Sequence, residues 1–165
     1  MKKLLYILIA SSLFAATSAN ATLMLSLDDN SGNSVSVTDN GADDSMPIEG
    51  YLDYTGSVGI WNINSISAFS NPIIGSDYVD AIHLDSVNVS SGLGTLTIML
   101  TQTDLTNLSA PFKAGIGGFS GGDVSYSLFA DAGNTAFGKA TKLYESTSAG
   151  SGGFSDNFSG GLLFT

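Results

Sequence analysis

Apolar side chains recur at every second position along most of this chain, and this period constrains the fold more than any other feature of the sequence. The clearest examples lie at 35–37, 87–89, 96–100 and 124–128. Successive side chains of a β-strand point to opposite faces of a sheet, so this alternation is typical of strands with one buried face. The sequence therefore predicts an all-β fold.

Stretches rich in Gly, Asn and Asp separate the candidate strands. They cover 28–33, 38–44, 90–94 and 117–123, and glycine in them opens backbone angles that are closed to other residues. Further candidate strands lie at 22–27, 51–54, 58–69, 141–145 and 161–165. With about nine or ten short strands in all, we predict an antiparallel β-sandwich of the jelly-roll type.

Few segments of the sequence remain between the candidate strands and turns, so only short helical turns are expected. Minor helical turns are predicted over Ser76–His83, where Ser76 is a suitable N-cap, and over Gln102–Leu108. Trp61 interrupts the alternation of its strand, which indicates a bulge or a strand buried on both faces. A single aromatic residue in a strand more often fills a core than binds a ligand, so a core position is the preferred interpretation of Trp61.

The first 21 residues have the pattern of a secretory signal peptide. Lys2 and Lys3 form a positive segment, Leu4–Leu13 an apolar one, and Ala19 and Ala21 supply the small residues of a cleavage site. We expect export by the general secretory route, cleavage after Ala21, and a secreted or cell-surface product.

Removal of the leader leaves residues 22–165, which are enough for a single β-sandwich domain with its own core. No later segment contains the eighteen or so consecutive apolar residues of a membrane-spanning helix. We therefore predict no membrane-spanning segment in the mature chain.

The chain is strongly acidic. Five lysines stand against fifteen Asp and Glu, a net charge of −10, and loss of Lys2 and Lys3 with the leader leaves three against fifteen, or −12. Such a surface repels polyanions, so nucleic acid is not an expected partner. Cysteine is absent, which excludes disulfides, thiolate metal sites and cysteine nucleophiles.

Two acidic turns contain the oxygen donors that calcium prefers. The candidate ligands are Asp28, Asp29, Asn30, Asn33, Asp39, Asp43 and Asp44. Neither turn matches the twelve-residue calcium loop that closes on a glutamate, and hairpin turns rich in Asn and Asp are the commoner explanation. We predict no cofactor, with calcium at these turns as the alternative.

Residues that support catalysis are few. His83 is the single histidine, and although Asp80 and Asp85 lie close to it in the sequence, no G-x-S-x-G motif supplies a nucleophile. Glu49 and Glu145 are the two glutamates, and nothing in the sequence places either opposite a second acid. We predict a protein without a catalytic residue, and a secreted hydrolase is the weaker alternative.

Exposed aromatic residues on a sandwich can stack on sugar rings. The candidates for such a role are Trp61, Tyr51 and Tyr54. A carbohydrate-binding or adhesive module is therefore the main alternative to a purely structural protein.

Three phrases of strand and turn sequence carry a family resemblance: SVTDNGADD at Ser36–Asp44, DSVNVSSGLGTLTI at Asp85–Ile98 and VSYSLFADAGNTAFG at Val124–Gly138. With the leader, they resemble the secreted PEP-CTERM proteins of Gram-negative bacteria, whose C-terminal signal an exosortase processes. The resemblance implies export, an extracytoplasmic β-rich domain, and association with the cell surface or the exopolysaccharide of a biofilm matrix. It implies no reaction.

The chain departs from that family at its C-terminus. No Pro-Glu-Pro signal is present, since Pro47, Pro72 and Pro111 all lie upstream and the sequence ends at Thr165. The apolar end favours a domain truncated within a strand. On balance the sequence predicts a non-enzymatic structural or interaction protein outside the cytoplasm, with polysaccharide or other matrix components as partners.

Overall fold

Ten antiparallel strands make up the structure. A computed structural model of the chain describes residues 21–75, 81–90, 93–105 and 112–161. The strands are β1 Leu23–Asp28, β2 Ser34–Thr38, β3 Tyr51–Val58, β4 Trp61–Ser70, β5 Ile82–Ser90, β6 Thr97–Gln102, β7 Phe112–Ser120, β8 Val124–Ala130, β9 Thr141–Ser148 and β10 Gly152–Gly160. No helix occurs in these ranges, so none is long and apolar enough to cross a membrane.

The strands form four small sheets. Two have three strands, in the orders β2-β1-β6 and β3-β4-β5, and two have two strands, β10-β7 and β8-β9. Strands β1 and β2 of the first sheet contact β3 of the second. The predicted all-β antiparallel fold is confirmed, and the packing of sheet on sheet is consistent with a sandwich.

The core lies between the two three-stranded sheets. Leu23, Leu25 and Leu27 of β1 are each 0% exposed, as the predicted alternation requires. They form one apolar cluster with the inward side chains of the other sheet, among them Leu52 of β3 and Ile66 of β4. Within the described residues, every buried side chain lies between positions 23 and 70.

The C-terminal half is built differently. The chain runs from β7 to β8 and from β9 to β10 through short turns, yet the hydrogen-bonded pairs are β10-β7 and β8-β9. Each short turn therefore carries the chain from one sheet to the other. Aromatic side chains connect the two sheets, with the rings of Tyr144 and Phe158 stacked at a centroid distance of 4.5 Å.

Two tight turns meet at one end of the core. Gly59 and Ile60 join β3 to β4, where Val58 pairs directly with Trp61. Gly59 has a φ of +56°, and a β-carbon at this position would overlap the carboxylate of Asp29 in the β1-β2 turn. Glycine is required there both for backbone angle and for space.

Several local predictions are wrong. The turn predicted at 117–123 is strand as far as Ser120, and β10 was not predicted at all, since both segments are rich in glycine. The helical turn predicted over 76–83 is contradicted at Ile82 and His83, which begin β5, while 76–80 lie outside the described residues. Pairing with β4 decides the conformation there.

The predicted helical turn at 102–108 and the predicted strand at 161–165 lie only partly within the described residues. Gln102 ends β6, residues 103–105 are not helical, and the rest of the predicted turn lies outside the described residues. Of the strand predicted at 161–165, Gly161 follows the end of β10 and the remainder is not described.

Candidate functional site

Three ring-bearing side chains form a row across the outer face of the β3-β4-β5 sheet. Tyr51 pairs with Phe69, and Phe69 pairs with His83, so the three residues are direct cross-strand neighbours. The rings of Tyr51 and Phe69 are stacked at a centroid distance of 4.6 Å, and those of Phe69 and His83 lie 6.5 Å apart at 28°. We call these residues the aromatic row.

The alternation of the strands explains why the row faces outward. Tyr51 adjoins buried Leu52, Phe69 lies between buried Ala68 and Ser70, and His83 adjoins Leu84, which packs against the core. Neighbouring residues of a strand point to opposite faces. Tyr51 and Phe69 are half-buried and His83 is exposed, so the row presents a stack of rings on the outer face of the sheet, with Tyr51 and His83 at its two ends.

A polar row runs beside the aromatic one. Asp53, Ser67 and Asp85 occupy the next outward positions of β3, β4 and β5 and are again cross-strand neighbours. The Ser67 hydroxyl donates to Asp53 Oδ1 at 2.8 Å, and the Ser45 hydroxyl donates to Asp53 Oδ2 at 2.7 Å. The half-buried Asp53 and the exposed Asp85 therefore border the rings with carboxylates, which accept hydrogen bonds from the hydroxyls of a polyol, whereas the Ser67 hydroxyl is buried.

The three predicted stacking residues do not share a face. Tyr51 belongs to the aromatic row, whereas Tyr54 is 9% exposed and lies in the core, where its ring cannot stack on a sugar. Trp61 is half-buried against the core, and its indole nitrogen is buried with no hydrogen-bond partner in the described part of the chain. The preferred interpretation of Trp61, a core position, agrees with this packing.

The sequence did not indicate Phe69 or His83 as partners of Tyr51. Their alignment depends on the strand register, which shifts between Tyr54 and Gly56 and again along β4. A local pattern carries no information about such shifts, although the outward positions of each strand, once paired, identify the row.

The first acidic turn uses its carboxylates internally. Asp29 accepts hydrogen bonds from the side chain and the backbone N–H of both Ser31 and Asn33, at 2.7 to 3.0 Å. The Asn33 and Ser31 side chains contribute most, and together these donors hold the pKa of Asp29 far below its usual range. Asp28 accepts in the same way from the backbone N–H of Asn30 at 2.7 Å.

The second acidic turn is similar. Asp39 accepts from the Gly50 N–H at 2.7 Å, and Asp44 accepts from the N–H groups of Asn40, Met46 and Asp53 at 2.9 to 3.0 Å. Asp43 lies exposed beside them. The described residues contain no group of three or more His, Asp or Glu side chains arranged to hold a metal ion. Calcium at these turns stays a prediction.

A second aromatic cluster lies between the C-terminal sheets. Besides stacking on Phe158, Tyr144 contacts the ring of Tyr126 and donates its hydroxyl proton to Asp156. This bond raises the pKa of Tyr144, and donation from Ser146 and Tyr144 lowers the pKa of Asp156. Tyr144 and Phe158 stack at nearly the same spacing as Tyr51 and Phe69, but they belong to β9 and β10 and connect the two C-terminal sheets.

No protein-family model, curated protein or solved structure shows a significant match to this chain.

Proposed function

We propose that this protein is a non-enzymatic, extracytoplasmic interaction protein that binds polysaccharide through the aromatic row. The observation that carries the proposal is the alignment of Tyr51, Phe69 and His83 on the outward face of one sheet. The end faces and the edges of these stacked rings can contact the C–H groups of sugar rings, while adjacent polar groups hydrogen-bond the sugar hydroxyls. A surface role at the cell envelope or in the matrix follows from the predicted leader and the PEP-CTERM resemblance.

The charge of the chain favours a neutral glycan. The mature chain has a net charge of −12 and no arginine, so an anionic polysaccharide would be repelled and would lack a bidentate partner. Asp53 and Asp85 beside the row are acceptors for hydroxyl protons. We therefore expect neutral polysaccharides to bind more tightly than uronic-acid polymers.

Binding without catalysis is supported by the surroundings of the single histidine. His83 lies beside the Phe69 ring on an open sheet face, whereas a catalytic histidine stands between an orienting acid and a nucleophile. Glu145 is paired with Lys142 at 2.9 Å on β9, far along the chain from the row. Within the described residues, the surroundings of His83 and Glu145 do not support a hydrolase, and Asp80 lies outside those residues.

Native affinity electrophoresis tests the proposal, because an acidic protein migrates readily through gels that contain polysaccharide. We expect a neutral β-glucan, mannan or galactan to retard the mature protein and polygalacturonate to leave it unaffected. Tyr51→Ala and His83→Ala should each weaken retardation about tenfold or more, the effect of removing a central aromatic contact. Tyr51→Phe should retain most binding.

Phe119→Ala is the matched control. Phe119 is an aromatic residue 90% exposed on β7, outside the aromatic row, so its removal should leave the retardation unchanged. Equal retardation of the Tyr51→Ala, His83→Ala and wild-type proteins by every retarding polysaccharide would contradict the proposal.

A further inference from the structure

A small acidic cavity lies where the first strand begins. It has a volume of about 210 Å³ and is lined by Ala21, Thr22, Asp39, Asn40 and Glu49. The expected leader-cleavage bond joins two of its lining residues. The cavity shares no residue with the aromatic row, although Glu49 lies two residues before Tyr51 in the chain.

Backbone pairing holds these residues together. Met24 pairs with Thr38 in the β1-β2 ladder. The Asp39 N–H donates to the Leu23 carbonyl at 3.0 Å, so the antiparallel pairing extends by one residue in each strand, to Leu23 and Asp39. Thr22 is the next residue towards the N-terminus, so it lies alongside 39–40. These contacts belong to the sandwich itself and do not depend on the leader.

Glu49 lies at the cavity because its neighbour, Gly50, is hydrogen-bonded to the Asp39 side chain. The Gly50 N–H donates to Asp39 Oδ2 at 2.7 Å, and this bond fixes the segment that contains Glu49. Gly50 has a φ of +80°, and a β-carbon there would overlap the backbone of Asn71. The backbone next to Glu49 is therefore held in place by tight packing, while the Glu49 side chain is exposed.

The cavity has negative charge without a compensating cation in its lining. Burial raises the pKa of Asp39, and repulsion from Asp44 and Glu49 raises it further, against the lowering effect of the Gly50 N–H. Its lining residues include neither lysine nor arginine. A positive group placed here would relieve the repulsion between the carboxylates.

We propose that this cavity binds the new N-terminus of the protein: after leader removal, the ammonium group of Thr22 forms an ion pair with the carboxylates of Asp39 and Glu49. A leader peptidase hydrolyses the Ala21–Thr22 peptide bond with one water, which leaves a carboxylate on Ala21 and an amine that takes up a proton on Thr22. The inference rests on the cleavage after Ala21 that belongs to the proposed function. Processing thus supplies a cation that the cavity lining itself does not contain, and the mature domain is stabilised only when its N-terminus is Thr22.

The test uses the complete chain exported with its own leader and purified after processing. Inserting Gly-Ser directly after Ala21 moves the ammonium two residues out of the cavity without changing any folded residue. We expect this insertion to lower Tm by about 3 °C, the shift for a partly buried ion pair in a domain of this size. The difference should shrink in 1 M NaCl because salt screens the pair.

The insertion is repeated in two variants, in order to distinguish loss of an ion pair from a general effect of a longer N-terminus on Tm. In Asp39→Asn combined with Glu49→Gln, the insertion should change Tm by less than about 1 °C. Asp43→Asn is the matched control, since this exposed carboxylate is outside the cavity, and the full difference should persist in it.

Mass spectrometry of each product distinguishes the possible failures. A native product that begins elsewhere than at Thr22 would refute the cleavage site and this inference together. A product that begins at Thr22 but has the same Tm with and without the insertion would refute the ion pair alone, and the polysaccharide proposal would be unaffected.

Discussion

Stability should be concentrated in the N-terminal half of the chain, and a pair of leucine substitutions tests this directly. Leu25 of β1 is 0% exposed in the centre of the core, whereas Leu128 of β8 is half-buried between the C-terminal sheets. Both changes to Ala delete the same atoms. The cost of each deletion depends on how completely the side chain is buried and on the cavity that it leaves.

The magnitudes follow from these burials. Leu25→Ala should cost about 3 kcal/mol, near the middle of the range for a fully enclosed leucine, whereas Leu128→Ala should cost about 1 kcal/mol because solvent already reaches that site. At 2 to 4 °C per kcal/mol for a domain of roughly this size, the two Tm shifts should be about 9 °C and 3 °C.

Urea unfolding followed by circular dichroism and by tryptophan fluorescence is the appropriate assay. Trp61 is the only tryptophan in the chain and packs against the N-terminal core, so its fluorescence reports on that core while dichroism reports on all the strands. An unchanged m-value would show that the same cooperative unit unfolds in both variants. An equal or larger loss for Leu128→Ala would refute the unequal distribution of stability.

Two further predictions concern the turns at the end of the core. The folded-state pKa of Asp29 lies below its unfolded value, so its contribution to stability is present above about pH 4 and is lost as pH falls towards the folded pKa. In urea titrations, Asp29→Asn should therefore reduce the loss of unfolding free energy between pH 7 and pH 3. An unchanged dependence of the unfolding free energy on pH would contradict this role. Gly59→Ala should lower Tm by several degrees because the added β-carbon meets Asp29 and φ is positive. The control is Gly121→Ala, which has open space around it, and equal Tm values for the two alanine variants would count against the close contact.

Strands with one well-buried face could be predicted from sequence, and strands rich in glycine could not. β1 lies within the strand predicted at 22–27, and its alternating leucines all enter the core. β7 and β10 consist largely of small residues, and their conformation is fixed by pairing with each other over nine residues. Such pairing is a long-range property, and glycine has no local preference for a strand.

The aromatic row was only partly predictable for a related reason. Tyr51 was indicated as a sugar-stacking candidate, but its residue type could not separate it from Tyr54, which faces the core three positions later. Residues 51–54 alternate regularly, but which of the two tyrosines faces inward is decided by the packing of β3 against β1 and β2. His83 completes the row because it pairs with Phe69 in the β4-β5 ladder, and this long-range pairing is not visible in the local sequence.

The most direct measurement of polysaccharide binding at this row uses two residues that occur once each in the chain, His83 and Trp61. NMR spectra of the mature protein are recorded while the neutral oligosaccharide of the most strongly retarding polymer is added. We predict that the His83 ring signals shift in a saturable manner, because the sugar packs on the aromatic row, while the buried indole N–H signal of Trp61 stays in place. A saturable change at Trp61 with none at His83, or binding that leaves both signals unmoved, would contradict the account.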